Sequence, residues 1–313
     1  MSKHPTHRPY LSIVIPVFNE VESIDKLYSC LTEVLTTIGE SYEIILVDDG
    51  SSDGTIAKIR SFDDPTVNLI SFIRNFGHQA AIHAGLDYAK GEVVITMDGD
   101  LQHPPEVIPK LLEQYIQGYE VVNTHRIDSQ NTGFLKKITS RLFYSFFSFL
   151  TGVKLNSGSS DFRLISRNVL KHLTSFADVD LFLRGAIEWL GYEATTIPFN
   201  AGDRFAGKSK FSIRKMYGLA MGSIVSFSIK PLILSIWIGL CTSLVAFIEI
   251  LYVIYIWSQG HTVPGWASIM GVTSLLFGIL FIILGIIGLY LSRIHMALQQ
   301  RPRYIVAGSS TNE

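Results

Sequence analysis

The chain has 313 residues and a formal net charge of −1, with 17% charged residues, which excludes the strongly basic balance that nucleic-acid partners require. Its apolar fraction of 48% and mean hydropathy of +0.30 are high for a wholly water-soluble protein, so part of it is expected to meet lipid. The only cysteines, Cys30 in a predicted helix and Cys241 in an apolar run, suggest neither a disulfide framework nor a zinc knuckle.

Residues 1–10 read as a flexible polar tail without the apolar stretch of a secretion signal, and the part that follows is expected in the cytoplasm. From Leu11 onward, short β-rich runs alternate with helical patterns. Strands are predicted at Leu11–Val17, Tyr42–Asp48, Val67–Ile73, Glu92–Asp98 and Tyr119–Thr124. That alternation predicts an α/β domain over 11–210, Rossmann-like with a mainly parallel sheet. Ile13-Val14-Ile15 and Ile44-Ile45-Leu46-Val47 are apolar throughout, as suits strands covered by helices on both faces.

After Gly133 the spacing of Leu142, Phe143, Phe146, Phe147 and Leu150 predicts a helix whose first half carries Lys136, Lys137 and Arg141. A second amphipathic helix is predicted over 211–230, with Ile213, Met216, Tyr217, Ala220, Met221 and Ile224 on one face beside Arg214 and Lys215. It is expected to lie at a membrane interface. The apolar runs 231–257 and 266–291 each exceed the roughly 20 residues that cross a bilayer core, and residues 292–313 form a tail. Lys208, Lys210, Arg214, Lys215 and Lys230 precede the first run, and Arg293, Arg301 and Arg303 follow the second. The loop Ser258–Gly265 has no Lys or Arg, so both ends of the pair are expected to face the cytoplasm. Glu249, inside the first run, is read as a helix-contact residue or as part of a lipid path.

In an open parallel sheet, ligands bind beyond the carboxyl ends of the strands. Polar clusters fall there four times: Asn19-Glu20, Asp48-Asp49-Gly50-Ser51, Asp98-Gly99-Asp100 and His125-Arg126. Any one of them is ordinary turn chemistry, but four at one edge point to a site. Asp98 and Asp100, two apart in an extended segment, point to the same side and can share a hard cation, Mg²⁺ or Mn²⁺, that bridges to a diphosphate. The continuation Leu101-Gln102-His103-Pro104-Pro105 lacks the further ligands of an EF-hand, and no Cys/His set has zinc spacing.

Five segments together carry a resemblance: Ile15-Pro16-Val17-Phe18-Asn19-Glu20, Val47-Asp48-Asp49-Gly50-Ser51-Ser52-Asp53-Gly54-Thr55, Arg74-Asn75-Phe76-Gly77, Asp98-Gly99-Asp100-Leu101-Gln102-His103-Pro104-Pro105-Glu106 and Asp161-Phe162-Arg163-Leu164. The chain resembles the polyprenyl-phosphate glycosyltransferases of the GT-A fold over nearly its whole length. It is most like the bactoprenol glucosyl transferases and more distantly like the dolichol-phosphate mannose synthases.

The resemblance implies that Pro16, Phe18, Asn19, Glu20, Asp48 and Asp49 line or flank the nucleotide pocket. Asp98 and Asp100 would hold the donor diphosphate through the metal, with Gln102 beside the sugar. Arg126, Lys136 and Ser140 match positions that hold the lipid phosphate. Arg204-Phe205-Ala206-Gly207-Lys208-Ser209-Lys210-Phe211 is similar to a loop that closes over the diphosphate with Arg204 and Lys210. Asp161 matches a catalytic-base position. A phosphate monoester has its second pKa at about 6, however, so the acceptor is already nucleophilic at neutral pH, and the alternative role for Asp161 is to orient the phosphate or a basic partner such as Arg163, itself expected at the acceptor phosphate.

The expected reaction is inverting, metal-dependent transfer of a hexose, with UDP-glucose the favoured donor and UDP-GlcNAc, GDP-mannose or a UDP-aminoarabinose derivative the alternatives, to an undecaprenyl-type phosphate at the bacterial inner membrane. A homo-tetramer is implied by the resemblance. A processive polysaccharide synthase is disfavoured because its Gln-x-x-Arg-Trp segment is absent, and a silent scaffold because the Asp98/Asp100 pair is intact.

Overall fold

A computed structural model of the chain describes residues 8–127, 159–176, 183–200, 230–260, 265–299 and 301–309. The helices expected after Gly133 and over 211–230 lie outside the described residues. Strands and helices alternate through β1 (Leu11–Val17), α1 (Ile24–Ile38), β2 (Tyr42–Asp48), α2 (Thr55–Arg60), β3 (Val67–Phe72), α3 (His78–Tyr88) and β4 (Val93–Thr96). A 3-10 turn at Pro105–Val107 leads into α4 (Ile108–Ile116) and β5 (Val121–Ile127). β6 (Ser159–Ser166), α5 (Arg167–Thr174), α6 (Leu183–Leu190) and β7 (Ala194–Asn200) complete this part. Two long helices follow, α7 (Lys230–Ser258) and α8 (Trp266–Leu298), and then a last short strand, β8 (Val306–Ser309).

The eight described strands form one sheet in the order β7-β5-β6-β4-β1-β2-β3-β8. β1 pairs in parallel with both β2 and β4, and β2 with β3, which matches the expected doubly wound half. β6 runs antiparallel to β4 and β5, and β8 antiparallel to β3. β1 and β2 are buried along almost their whole length, as their unbroken apolar runs require. α1 packs through Ile24, Leu27, Leu31 and Leu35, at helical spacing, and ends at Gly39, whose φ of 77° suits a residue without Cβ.

The chain goes from β1 to β2 and β3 on one side, then crosses back to β4 on the other. The switch point therefore lies between β1 and β4, where such sheets leave a crevice beyond the strand ends. α3 covers β1 and β2 closely. A Cβ on Gly85 would stand 2.2 Å from Val14 Cγ1 and 3.2 Å from Val47 Cγ2, so only glycine lets the helix sit this low.

The chain divides into two compact units, one holding the sheet with its helices and the other the two long helices. Within the second, Lys230–Ile256 and Gly271–Leu298 have mean hydropathies of 2.2 and 2.7 and are long and apolar enough to cross a membrane. α8 continues seven residues past the expected end at Leu291. The expected tail also does more than trail: from Pro302 the chain belongs to the sheet unit again. There β8 caps the β3 edge, the Tyr304 ring stacks on Phe72 at 5.1 Å, and its hydroxyl donates to Asp87 at 2.9 Å.

Gly85→Ala is expected to destabilise the sheet unit by about 1–3 kcal/mol through overpacking against Val14. Thermal denaturation followed by circular dichroism checks this, and an unchanged midpoint would contradict the close approach of α3.

Candidate active site

The loops after β1 and β2 are laced to each other. Asn19 adopts the left-handed region at φ 55°, which turns its side chain back to accept from the Ser52 amide at 2.9 Å, while its own amide donates to Ser51 Oγ at 2.8 Å. The Glu20 amide donates to Thr55 Oγ1 and the Val21 amide to Asp53. Asp48 is fully buried. Its Oδ2 accepts from the Gly50 and Ser51 amides at 3.2 and 3.0 Å, and its Oδ1 is buried with no hydrogen-bond partner. Asp49 instead accepts from the Phe76 amide at 2.6 Å and the Gly77 amide at 3.0 Å, fixing the Arg74-Asn75-Phe76-Gly77 segment. Burial raises the Asp49 carboxyl above its ordinary value, those amides oppose the shift, and the Asp48 charge adds to it. Gly50 lies under this segment with φ 75°, and a Cβ there would meet the Arg74 carbonyl carbon at 2.6 Å.

Asp98 follows β4. Its amide donates to His103 Nδ1 at 2.8 Å, so that nitrogen carries no proton, and His103 Nε2 donates to Ser160 Oγ at 2.6 Å. The His103 ring is buried and stacked on Phe162 at 5.1 Å. This histidine thus pins the Pro104-Pro105 loop. Leu101 has φ 62°, an uncommon conformation for a branched side chain, and it allows the Gln102 amide to donate to Asp100 Oδ1 at 3.1 Å. Gly99 rests against the end of β1, where a Cβ would lie 3.1 Å from Val17 Cγ1. Asp98 and Asp100 therefore stand at the switch point.

β6 begins where β4 ends, because the two run antiparallel with Thr96 opposite Arg163. Asp161 thereby reaches the same edge, with its side chain 11% exposed. It accepts from Arg184 Nε at 2.9 Å and Arg163 Nη2 at 3.3 Å. Burial alone would raise this carboxyl. The Arg184 charge, His78 and the Arg163 charge overcome that and hold it well below the usual carboxylate range. Arg163 is 3% exposed, donates also to the Ser160 carbonyl at 2.9 Å, and is pushed down to about 10 by burial. His78, on the first turn of α3, links the two acidic positions: its Nε2 lies 3.4 Å from Asp98 Oδ1 and 3.7 Å from Asp161 Oδ2. Burial would lower this imidazole, but the two carboxylates outweigh it and raise it.

Among the described residues no three His, Cys, Asp or Glu side chains form a cation cage. Asp98, whose Oδ1 makes no hydrogen bond and faces His78 at 3.4 Å, and the nearby Asp100 are hard oxygen donors of the type that Mg²⁺ or Mn²⁺ takes, one or two from protein and the rest from a substrate's phosphates. The donor set fits such an ion held jointly with a diphosphate.

Residues 12–174 match the family described as Glycosyl transferase family 2. The chain belongs to this family. It is 39% identical over 312 residues to the uncharacterized glycosyltransferase YkcC of Bacillus subtilis (strain 168), covering 99% of this chain and 95% of the relative. It is 36% identical over 299 residues to the prophage bactoprenol glucosyl transferase homolog of Escherichia coli (strain K12), covering 95% and 98%. The SfII prophage-derived bactoprenol glucosyl transferase of Shigella flexneri is 36% identical over 302 residues, covering 96% and 98%. Among solved structures, mannosyl-3-phosphoglycerate synthase from Rubrobacter xylanophilus matches with a TM-score of 0.51 at 15% identity, covering 70% of this chain and 73% of that one. That likeness concerns the fold alone. The sheet domain has the GT-A fold, and the chain is a glycosyltransferase.

For this glycosyltransferase the structure brings Asn19, Glu20, Asp48, Asp98, Asp100, Gln102 and Asp161 to one sheet edge, and Arg126 Nη1 donates to Gln102 Oε1 there at 2.9 Å. Pro16 is buried within β1 and Phe18 is half-buried just beyond it. Arg163, expected at the acceptor phosphate, turns inward to Asp161 and Ser160 instead. Lys136, Ser140, Arg204 and Lys210 lie outside the described residues. His78 and Arg184 were not legible as site residues: one follows a loop and the other opens a short helix, and neither has motif spacing.

Asp161→Asn is expected to cost about 3–5 kcal/mol at pH 7, because it leaves Arg163 buried without its carboxylate. Since the folded pKa of Asp161 is depressed, its contribution is full above the ordinary value of 3.8 and lost as pH falls through the lower folded value. Denaturant titrations of both proteins should show a gap that persists from pH 7 to pH 4 and widens where His78, raised in part by Asp161, gains its proton; a gap that closes between pH 7 and pH 5 would contradict this geometry.

Proposed function

We propose that the chain transfers one hexose, glucose from UDP-glucose in the favoured case, to a membrane polyprenyl phosphate at the cytoplasmic face, with inversion at the anomeric carbon. The observation that carries the reading is the 36% identity to proteins named bactoprenol glucosyl transferase, which extends over 95% of the chain and so includes both the sheet unit and the two apolar helices. A long prenyl chain stays in the bilayer and confines its phosphate to the headgroup layer, which gives the helices a purpose.

In this reading Asp98 and Asp100 hold Mg²⁺ or Mn²⁺ against the donor diphosphate. The ion, when bound, supplies charge neutralisation for the departing nucleotide diphosphate. Asp48 would accept from the nucleoside, a role supported by its Oδ1 having no hydrogen-bond partner in the protein. Gln102, oriented by Arg126, faces the sugar. Arg126, Lys136, Ser140, Arg204 and Lys210 keep the roles that the resemblance implies, at the acceptor phosphate and over the diphosphate.

Asp161 positions its neighbours rather than taking a proton. General bases work best with a pKa near the operating pH, and this carboxyl is held well below the ordinary range by two guanidiniums and an imidazole. The acceptor needs no base, since a phosphate monoester with a second pKa near ~6 is largely dianionic at neutral pH. The positive ends Lys230 and Arg293 flank the apolar helices, which supports placing both ends of the pair in the cytoplasm.

Mass analysis of the lipid product, with undecaprenyl phosphate and a panel of UDP- and GDP-sugars, tests the reading. Glucosylated lipid should form from UDP-glucose, and Asp100→Ala should lower UDP release by about 100-fold or more, as loss of a transition-state charge contact does. Equal release by variant and parent would count for a catalytically silent scaffold.

A further inference from the structure

The acceptor phosphate must approach a sheet edge lined by carboxylates. Asp48, Asp49, Asp98 and Asp100 all stand at the ends of β2 and β4, and an incoming dianion meets their field. A fixed cation on the acceptor side of that row would offset it, in addition to Arg126 and Lys136, which the resemblance assigns there. Arg163 does not serve, because its guanidinium is 3% exposed and committed to Asp161 and the Ser160 carbonyl. Arg184 is different. It lies on α6, its side chain is 30% exposed, and Asp161 grips it at 2.9 Å through Nε, on the side of the guanidinium chain.

We propose that Arg184 binds the phosphate of the acceptor lipid, held in place by Asp161, which makes it an acceptor-binding residue that no motif marks. The inference rests on the acceptor being a prenyl phosphate, as proposed above. Sheet order supports the side of the site to which it is assigned. β2 and β1 carry the residues of the nucleotide half, β4 carries Asp98 and Asp100 in the middle, and β6, which bears Asp161, lies beyond β4 on the far side. The Arg184 guanidinium thus stands across the metal-binding pair from the nucleotide. His78, 3.4 Å from Asp98 and 3.7 Å from Asp161, fills the interval between the two halves. A guanidinium whose orientation is set by a buried carboxylate loses little freedom when it binds, which favours its use on a planar phosphate face. The arrangement also gives the burial of Asp161 a function: its carboxylate fixes a cation in place.

The test uses the full chain in detergent micelles, with UDP-glucose and undecaprenyl phosphate, and compares the parent with Arg184→Gln and Arg184→Lys. A charged hydrogen-bond contact predicts a fall of roughly 10- to 100-fold in kcat/KM for the prenyl phosphate in Arg184→Gln, with the KM for UDP-glucose within about twofold. Arg184→Lys, which keeps the charge and a donor to Asp161, should recover part of the loss. A parent that glucosylates no prenyl phosphate overturns the proposed reaction, which is read before any variant is compared. With an active parent, equal changes in donor and acceptor constants, or none, overturn the role of Arg184. So does a loss of activity in both variants that follows their thermal midpoints.

Discussion

The structure depends on how one sheet edge accommodates several carboxylates at once. A buried carboxylate is costly unless it is paired or hydrogen-bonded, and each here is settled differently. Asp49 spends both oxygens on the amides of Phe76 and Gly77, and Asp48 spends one on Gly50 and Ser51. Asp161 is neutralised by two arginines. Asp98 is 34% exposed and faces the imidazoles of His78 and His103 at 3.4 and 3.6 Å, a looser settlement that leaves it open to a cation. In the proposed reading that cation comes with a diphosphate, and no cage of three protein ligands among the described residues competes for it.

The same economy explains the loops. Positive φ at Asn19 and Leu101 is strain tolerated at the ends of β1 and β4, and both residues sit where backbone amides must turn toward side-chain oxygens. His103 repays the turn after Asp100 by anchoring it to the core through Phe162 and Ser160. The two-helix unit is joined to the sheet unit at both its ends, because the chain returns after α8 to add β8 beside β3.

Much of this was legible in the residues. β1 and β2 were read with their observed bounds because both are apolar throughout, and β3 to β5 within three residues at each end, since Gly and charged residues punctuate them. β6, β7 and β8 escaped. Ser159–Ser166 is mostly polar because its neighbours and Asp161 need hydrogen bonds, Ala194–Asn200 is an alternating edge strand carrying Pro198, and Val306–Ser309 has only four residues. Asp98-Gly99-Asp100 was legible from its spacing, whereas His78 and Arg184 act through tertiary contacts that no local pattern encodes.

The central claim is that Asp98 and Asp100 hold a divalent ion only together with a nucleotide diphosphate. Calorimetric titration of UDP into the purified chain, once with Mn²⁺ and once with EDTA, measures this directly. The account predicts binding at least about tenfold tighter with the metal, consistent with a bridging charge contact. Equal affinity in the two conditions would contradict it.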